Sequence, residues 1–144
     1  MILSAKWVRF VNGVLKQTCV KTYSDGRYVL EKTESARNTT VDSYDSVLSD
    51  AEIAQLSLII DNGDFKMLST PGNTARLTAI GQDGQLLMVQ VSRANEVQGL
   101  AVSSDGKQSL PPAVIPLLKW IKDIKPDKSS RIINGKPSLC MLVQ

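Results

Sequence analysis

The chain of 144 residues contains no histidine, and its two cysteines, Cys19 and Cys140, lie near opposite ends. The absence of histidine excludes Ser/His and Cys/His catalysis and a histidine-bound zinc, because the usual general base and metal ligand is missing. Two cysteines do not supply the four ligands of a structural zinc site. The glycines are scattered singly and form no phosphate-binding loop, so we expect no nucleotide, metal or other cofactor.

Long apolar runs are also absent, and none reaches the roughly 20 residues that a membrane-spanning helix requires. We therefore expect no integral membrane segment. A hydrophobic content of 42% suffices for the core of one domain, which we predict over residues 1–144. The opening residues, MILSA, resemble the end of a signal peptide. Two locations stay open: secreted or periplasmic if a leader precedes Ile2, and cytoplasmic otherwise.

The two cysteines are too far apart in the sequence for a metal or redox motif. They are either two buried thiols or one long-range disulfide, and the redox compartment decides between these states. If the protein is exported, we expect Cys19 to pair with Cys140 and to tie the C-terminal segment to the first strands.

The formal net charge of +3 arises from a basic C-terminal segment, whose cations are Lys119, Lys122, Lys125, Lys128, Arg131 and Lys136. Such a segment could attract nucleic acid or an anionic membrane. It lacks an arginine cluster and, apart from Trp120, the interleaved aromatic residues on which bases stack. We therefore disfavour nucleic acid as a partner and expect a solvated tail or a terminal hairpin over residues 126–144.

Six of the nine glycines directly follow Asn or Asp. Such pairs tolerate positive φ and favour tight hairpin turns. The pairs are Asn12-Gly13, Asp25-Gly26, Asn62-Gly63, Asp83-Gly84, Asp105-Gly106 and Asn134-Gly135. The apolar runs between them predict strands over residues 6–11, 14–23, 27–33, 76–80, 85–92 and 98–103.

One helix is indicated by the run LSDAEIAQLSLIIDNG at residues 48–63. Ser49 and Glu52 are spaced as a capping box, and apolar residues then recur at helical spacing. Gly63 is placed to adopt the left-handed conformation that ends a helix. We predict a helix over residues 49–60, preceded by a polar loop over residues 34–45.

A second helix is predicted over residues 112–124, where prolines stand at the start and a missing N–H costs little. Pro116 lies far enough inside to bend the first turn or to delay the start of the helix. Ile115 and Trp120 widen the apolar stripe beyond what one sheet face usually requires. This surface either completes the core or binds a partner protein.

These elements predict an α+β domain in which a mostly antiparallel, twisted sheet of two β-meanders is covered by two helices. The predicted order is βββ-α-βββ-α, with a C-terminal hairpin as an option. The predicted core residues are Val8, Phe10, Leu30, Ile53, Leu56, Ile60, Phe65, Leu87, Val89, Val91, Leu117, Leu118 and Ile121.

Acidic residues cluster before and within the first turn of the first helix, at Asp42, Asp45, Asp50 and Glu52. Two of them could serve as acid and base, or several could hold Ca²⁺ weakly. The helix dipole and solvation favour acidic residues at the same place without any catalytic role.

The order of a leading hairpin, a helix entered through LSDAEIAQLSLIIDNGDFKML, a second hairpin and a final helix like PPAVIPLLKWI resembles emfourin-type proteins over residues 7–124. These proteins are small bacterial inhibitors of thermolysin-like metalloproteases. The resemblance implies a non-enzymatic protein that binds a protease. Asn12-Gly13 stands where those inhibitors carry a short Gly-rich segment, and no inhibitory residue is carried over.

The leading interpretation is a non-enzymatic protein-binding domain, with a protease inhibitor as its finer form. Its candidate binding residues are Trp120, Ile115 and the turn Asn12-Gly13, which would contact another protein of unknown identity. Two alternatives stay open. One is a hydrolase that uses the carboxylates between Asp42 and Glu52, and the other is a weak polyanion binder that uses the basic C-terminal segment.

Overall fold

A computed structural model of the chain describes residues 2–35, 39–68, 84–104 and 110–124, with residues 35 and 39–41 described by their backbone alone. Six strands form one antiparallel sheet: β1 (Ile2–Val11), β2 (Val14–Thr22), β3 (Arg27–Ser35), β4 (Thr39–Val47), β5 (Gln85–Ser92) and β6 (Val97–Ser104). The helices are α1 (Asp50–Ile60), α2 (Gly63–Lys66) and α3 (Ile115–Asp123), the last preceded by a 3-10 turn at Pro112–Val114. The α+β class with an antiparallel sheet is confirmed. No helix in these ranges is long and apolar enough to cross a membrane.

The strand order across the sheet is β4-β3-β2-β1-β5-β6. The first four strands follow one another as a meander, and the chain returns after α1 and α2 to place β5 on the free side of β1. Lys6 of β1 therefore lies between Cys19 of β2 and Met88 of β5. The two predicted meanders are parts of one continuous sheet, joined where β1 pairs with β5.

Positive φ angles occur at the first two predicted turns, with φ of 53° at Asn12, 77° at Gly13 and 89° at Gly26. These turns are confirmed. The prediction for Gly63 is wrong, because Asp61 ends α1 and the side chain of Asn62 accepts a hydrogen bond from the N–H of Asp64. The Asn62 cap restarts the helix, so Gly63 opens α2 with an ordinary φ.

The predicted loop over residues 34–45 is wrong, because β3 extends to Ser35 and β4 fills Thr39–Val47. Each β4 residue lies opposite one β3 residue. The paired region begins where Thr39 faces Ser35 and ends where Val47 faces Arg27. Serine and aspartate are tolerated in β4 because it is an edge strand with solvent on one side. The many polar residues of this segment predict a loop, although it also contains β-branched and aromatic residues that favour a strand.

The helices cover one face of the sheet. On β1 this face carries the odd-numbered residues Leu3, Ala5 and Trp7, which belong to the main core with the helices. Val8 and Phe10 lie on the opposite face of the sheet, because successive side chains of a strand alternate between its two faces. The prediction that both are core residues is confirmed for Val8 and wrong for Phe10. Val8 is buried on that opposite face, whereas Phe10 is half-buried.

The remaining predicted core residues are confirmed, and Ile53 packs half-buried against them. The fully or almost fully buried ones are Leu30, Leu56, Ile60, Phe65, Leu87, Val89, Val91, Leu117, Leu118 and Ile121. The predicted strand at residues 76–80, the turns at Asp83, Asp105 and Asn134, and the segment 126–144 lie outside the described residues.

Both helix starts follow from local chemistry. The N–H of Ser49 donates to Glu52 Oε1 at 2.9 Å, and the N–H of Glu52 donates to Ser49 Oγ at 3.1 Å, which confirms the capping box. The second helix begins three residues after the predicted start at Pro112, so of the two effects expected of Pro116, a bent first turn or a delayed start, the structure shows the delay. The chain first makes a 3-10 turn, and α3 then starts at Ile115 with Pro116 in its first turn, where no N–H is required.

Two polar side chains join the β5–β6 hairpin to the helix ends. Arg93 donates to the carbonyl of Ile60 at 2.6 Å and to Gln98 Oε1 at 2.8 Å. Gln98 Nε2 in turn donates to the carbonyls of Phe65 at 2.8 Å and Leu68 at 2.9 Å. Carbonyls at the ends of α1 and α2, which have no partner inside a helix, are satisfied in this way.

We predict that Arg93→Met lowers the free energy of unfolding by about 2 to 3 kcal/mol, because a nearly buried cation and the helix-end carbonyl lose their hydrogen bonds together. Arg27→Met is the matched control. Its ion pair with Asp25 is more than half exposed, so its loss should cost less than about 1 kcal/mol. Urea unfolding measures both, and equal losses would contradict the structural role of Arg93.

Cys19 lies in β2 and is fully buried, and the described residues include no free cysteine. Its predicted partner Cys140 lies outside the described residues, so this pairing stays a prediction. If the protein is exported, the unfolded, unreduced chain should show no reactive thiol and two after reduction. Loss of the bridge would cost about 4 to 5 kcal/mol in the chain-entropy model. Titration of two thiols without reduction would refute the pairing.

Candidate partner-binding groove between two helices

Helices α1 and α3 pack side by side in opposite directions on the outer side of the core. The indole N–H of Trp120 donates to the carbonyl of Glu52 at 3.2 Å, which fixes the end of α3 against the first turn of α1. At the other end, Pro112 of the 3-10 turn and Asn62 line one cavity together. The hydrogen bond between Trp120 and Glu52 gives the indole N–H a partner and fixes the distance between the two helices.

A groove runs along the seam of the two helices and consists of two adjoining cavities of about 460 Å³ and 350 Å³. The first is lined by Glu52, Gln55, Leu58, Ile59, Pro116, Lys119, Trp120, Asp123 and Ile124. The second is lined by Leu58, Ile59, Asn62, Asp64, Pro112, Ala113 and Pro116. Leu58, Ile59 and Pro116 belong to both, so we treat the two cavities as one feature, called the helix groove.

The helix groove has an apolar centre. Leu58 is 76% exposed, Ile59 is half-buried beside it, and Trp120 closes the floor with 6% of its surface exposed. Neighbouring Ile60 is fully buried in the main core, so α1 directs one apolar side to the sheet and a second to the groove. Apolar side chains gathered in a surface groove are typical of sites that bind other proteins.

A second, polar cavity of about 210 Å³ lies at the end of the sheet that the helices leave uncovered. It is lined by Arg9, Lys16, Gln17, Thr18, Lys32, Thr33, Glu34 and Asp42. Lys16 Nζ lies 3.2 Å from Glu34 Oε1 across neighbouring strands, and Lys32 stands opposite Asp42 in the register. Sequence reasoning missed this cavity because its residues come from four strands. The alternation of acidic and basic residues along β3, at Glu31, Lys32 and Glu34, was the one signal in the sequence.

The four carboxylates of the hydrolase interpretation do not share a site in the structure. Asp42 lines the polar cavity, and Asp45, three residues along the same strand, lies on the opposite face. Asp50 begins α1 at the surface, and Glu52 lines the helix groove while its carboxylate completes the capping box. Within the described residues, no three acidic, cysteine or histidine side chains are grouped to hold a metal ion.

The predicted partner-binding residues lie in three different places. Trp120 forms the buried floor of the helix groove, while Ile115 is 50% exposed and does not line that groove. Asn12 and Gly13 form the exposed β1–β2 turn, beyond Arg9 and Lys16 at the far end of the sheet. Of the basic C-terminal residues, Lys119 and Lys122 are exposed on α3, and the other four lie outside the described residues.

No protein-family model matches the chain, and no curated protein matches it. The interpretation of the helix groove therefore rests on its own geometry and chemistry. Leu58, Ile59 and Pro116 were not singled out by sequence reasoning as binding residues. The signal for Leu58 was its apolar character at a position outside the core stripe of α1.

We predict that Trp120→Ala lowers the free energy of unfolding by about 3 to 5 kcal/mol, because a buried ring and its hydrogen bond are lost together. Ile115→Ala, in the same helix, should cost less than about 1 kcal/mol, because that side chain is already half exposed. Denaturant unfolding compares the two. Similar small losses would show that Trp120 contributes to a surface and not to the core.

Proposed function

We propose that the protein is a non-enzymatic interaction domain that binds another protein through the helix groove. The observation that carries this proposal is the position of Leu58, three-quarters exposed at the point where the two cavities meet. An exposed leucine alone is common on protein surfaces. Beside Ile59 and above Trp120 it forms part of a concave apolar surface, which supports binding of a complementary apolar side chain.

The polar groups of the helix groove support binding in preference to catalysis. The side-chain carboxylate of Glu52 accepts a hydrogen bond from the N–H of Ser49. The backbone carbonyl of Glu52 accepts another from the indole N–H of Trp120. Both groups therefore contribute to the shape of the groove. The groove rim retains Lys119, Asp123 and Asp64 as exposed charges that can orient a partner.

Inhibition of a protease is the finer form of this proposal. It is supported by the resemblance of residues 7–124 to emfourin-type inhibitors. The direct test is whether the purified chain slows thermolysin at micromolar concentration, with Leu58→Ser as the comparison. Inhibition by both proteins alike would assign the inhibitory surface to another part of the chain.

Selection from a random displayed peptide library on the immobilised chain tests binding through the groove. We expect the selected peptides to bind the Leu58→Ser variant at least about tenfold more weakly, because a buried leucine contributes about 1.5 to 3 kcal/mol. The matched control is Val97→Ser in β6, another apolar residue that is 63% exposed and lies outside the groove.

The affinity of each selected peptide is compared among the wild type and the two variants, all of which should unfold within about 0.5 kcal/mol of one another. Peptides that bind Leu58→Ser as tightly as the wild type would contradict the proposed site. Peptides that lose affinity for Val97→Ser alone would assign binding to the β6 side of the sheet.

A further inference from the structure

We infer that the partner segment that fills the helix groove is a cationic amphipathic α-helix of another protein. This inference rests on the proposed function and adds the chemistry and the backbone conformation of the partner. Two independent features of the described structure support it. One is the hydrogen-bonding character of the groove walls, and the other is the charge of the residues that line the groove.

The walls of the groove favour a helical partner over an extended one. They are formed mainly by α1 and α3, and the backbone groups in the interior of each helix bond within that helix. Pro112 and Pro116 have no N–H at all. An extended segment in this groove would leave its own N–H and C=O groups without partners, at a cost for each one that is buried. A helix satisfies its backbone internally and needs only apolar contacts from the groove.

The groove also has the length of a short helix. Its lining residues on α1 and the following turn extend from Glu52 to Asn62. Ten helical steps of about 1.5 Å span about 15 Å, so the groove accommodates about three turns of a docked helix. Such a helix would place three or four apolar residues at i, i+3, i+4 and i+7 spacing over Leu58 and Ile59.

Charge complementarity points to a basic partner. In the groove lining, three acidic residues face one lysine, Lys119. A docked helix with lysine or arginine on its flanks would meet Glu52 and Asp123 at one end and Asp64 at the other.

A second copy of this chain fits the groove less well. A second copy that presented its α1 would bring the acidic first turn of that helix against the carboxylates of the groove rim. Like charges at short range oppose such a contact. Self-association at low salt that Leu58→Ser abolishes in sedimentation experiments would assign the groove to a second copy and overturn the inference.

The test uses three synthetic peptides of about 15 residues that share one leucine stripe at helical spacing. The first has lysine at the flanking positions, the second has glutamate there, and the third is the lysine peptide with a central proline that breaks the helix. Fluorescence anisotropy measures their affinities for the full chain at about 20 mM and about 500 mM salt.

We expect the lysine peptide to bind about tenfold more tightly than the glutamate peptide at low salt, and this ratio to shrink at high salt because exposed charges are screened. The double variant Asp64→Lys/Asp123→Lys should remove the preference. The control, Asp45→Lys, makes one such replacement on the opposite face of the sheet, which is half the charge change of the double variant, and should change both affinities less than about twofold.

The remaining outcomes distinguish a failure of the inference about the partner from a failure of the proposed function. If both charged peptides bind equally and both lose affinity for Leu58→Ser, the groove binds protein but the partner is not cationic. If the proline peptide binds as tightly as its parent, the partner is not a helix. If neither charged peptide binds the wild type, both the inference and the proposed groove are overturned.

Discussion

The pairing of β1 with strands on both of its sides is the constraint on which the rest of the fold depends. On one side Ala5 lies opposite Val20 of β2, and on the other it lies opposite Val89 of β5. Loss of β1 would separate the sheet into a β2–β3–β4 unit and a β5–β6 hairpin with no other strand to join them. Because β1 is central, its residues need burial on both faces, which explains an apolar run interrupted by Lys6 and Arg9.

The helix groove is a consequence of how the helices are held on this sheet. The capping box sets the start of α1, and Arg93 of the β5–β6 hairpin, which is itself bonded to Gln98, holds the end of α1 through the Ile60 carbonyl. The Trp120 contact then fixes α3 beside α1 at a spacing that leaves the groove between them. Because both helices bury one side in the main core, the groove lies on their shared outer side, where Leu58 is exposed.

Most features that depend on neighbouring residues could be predicted from the sequence, with the Asn62 cap before Gly63 as an exception, whereas features that depend on distant pairing were missed. The Ser49 cap, the Gly13 and Gly26 turns and the delayed start at Pro116 are each determined within a few residues, and each is confirmed. The polar strand β4, which depends on its pairing with β3, was missed. The side of β1 that faces the helices and the shape of the groove arise from tertiary packing, and the one local signal for the groove was the apolar Leu58 outside the core stripe of α1.

The position of β5 in the sheet has a consequence for how the chain is made. During synthesis β1 to β4 can assemble as a meander, but the second edge of β1 has no partner until about 45 more residues have been added after Val47, since Ala5 pairs with Val89. Throughout this interval an apolar central strand is exposed as an edge, ready to pair with any other strand nearby. Such a long sequence separation also slows closure of the sheet. The newly made chain is therefore most prone to aggregate just before the strand that protects it appears.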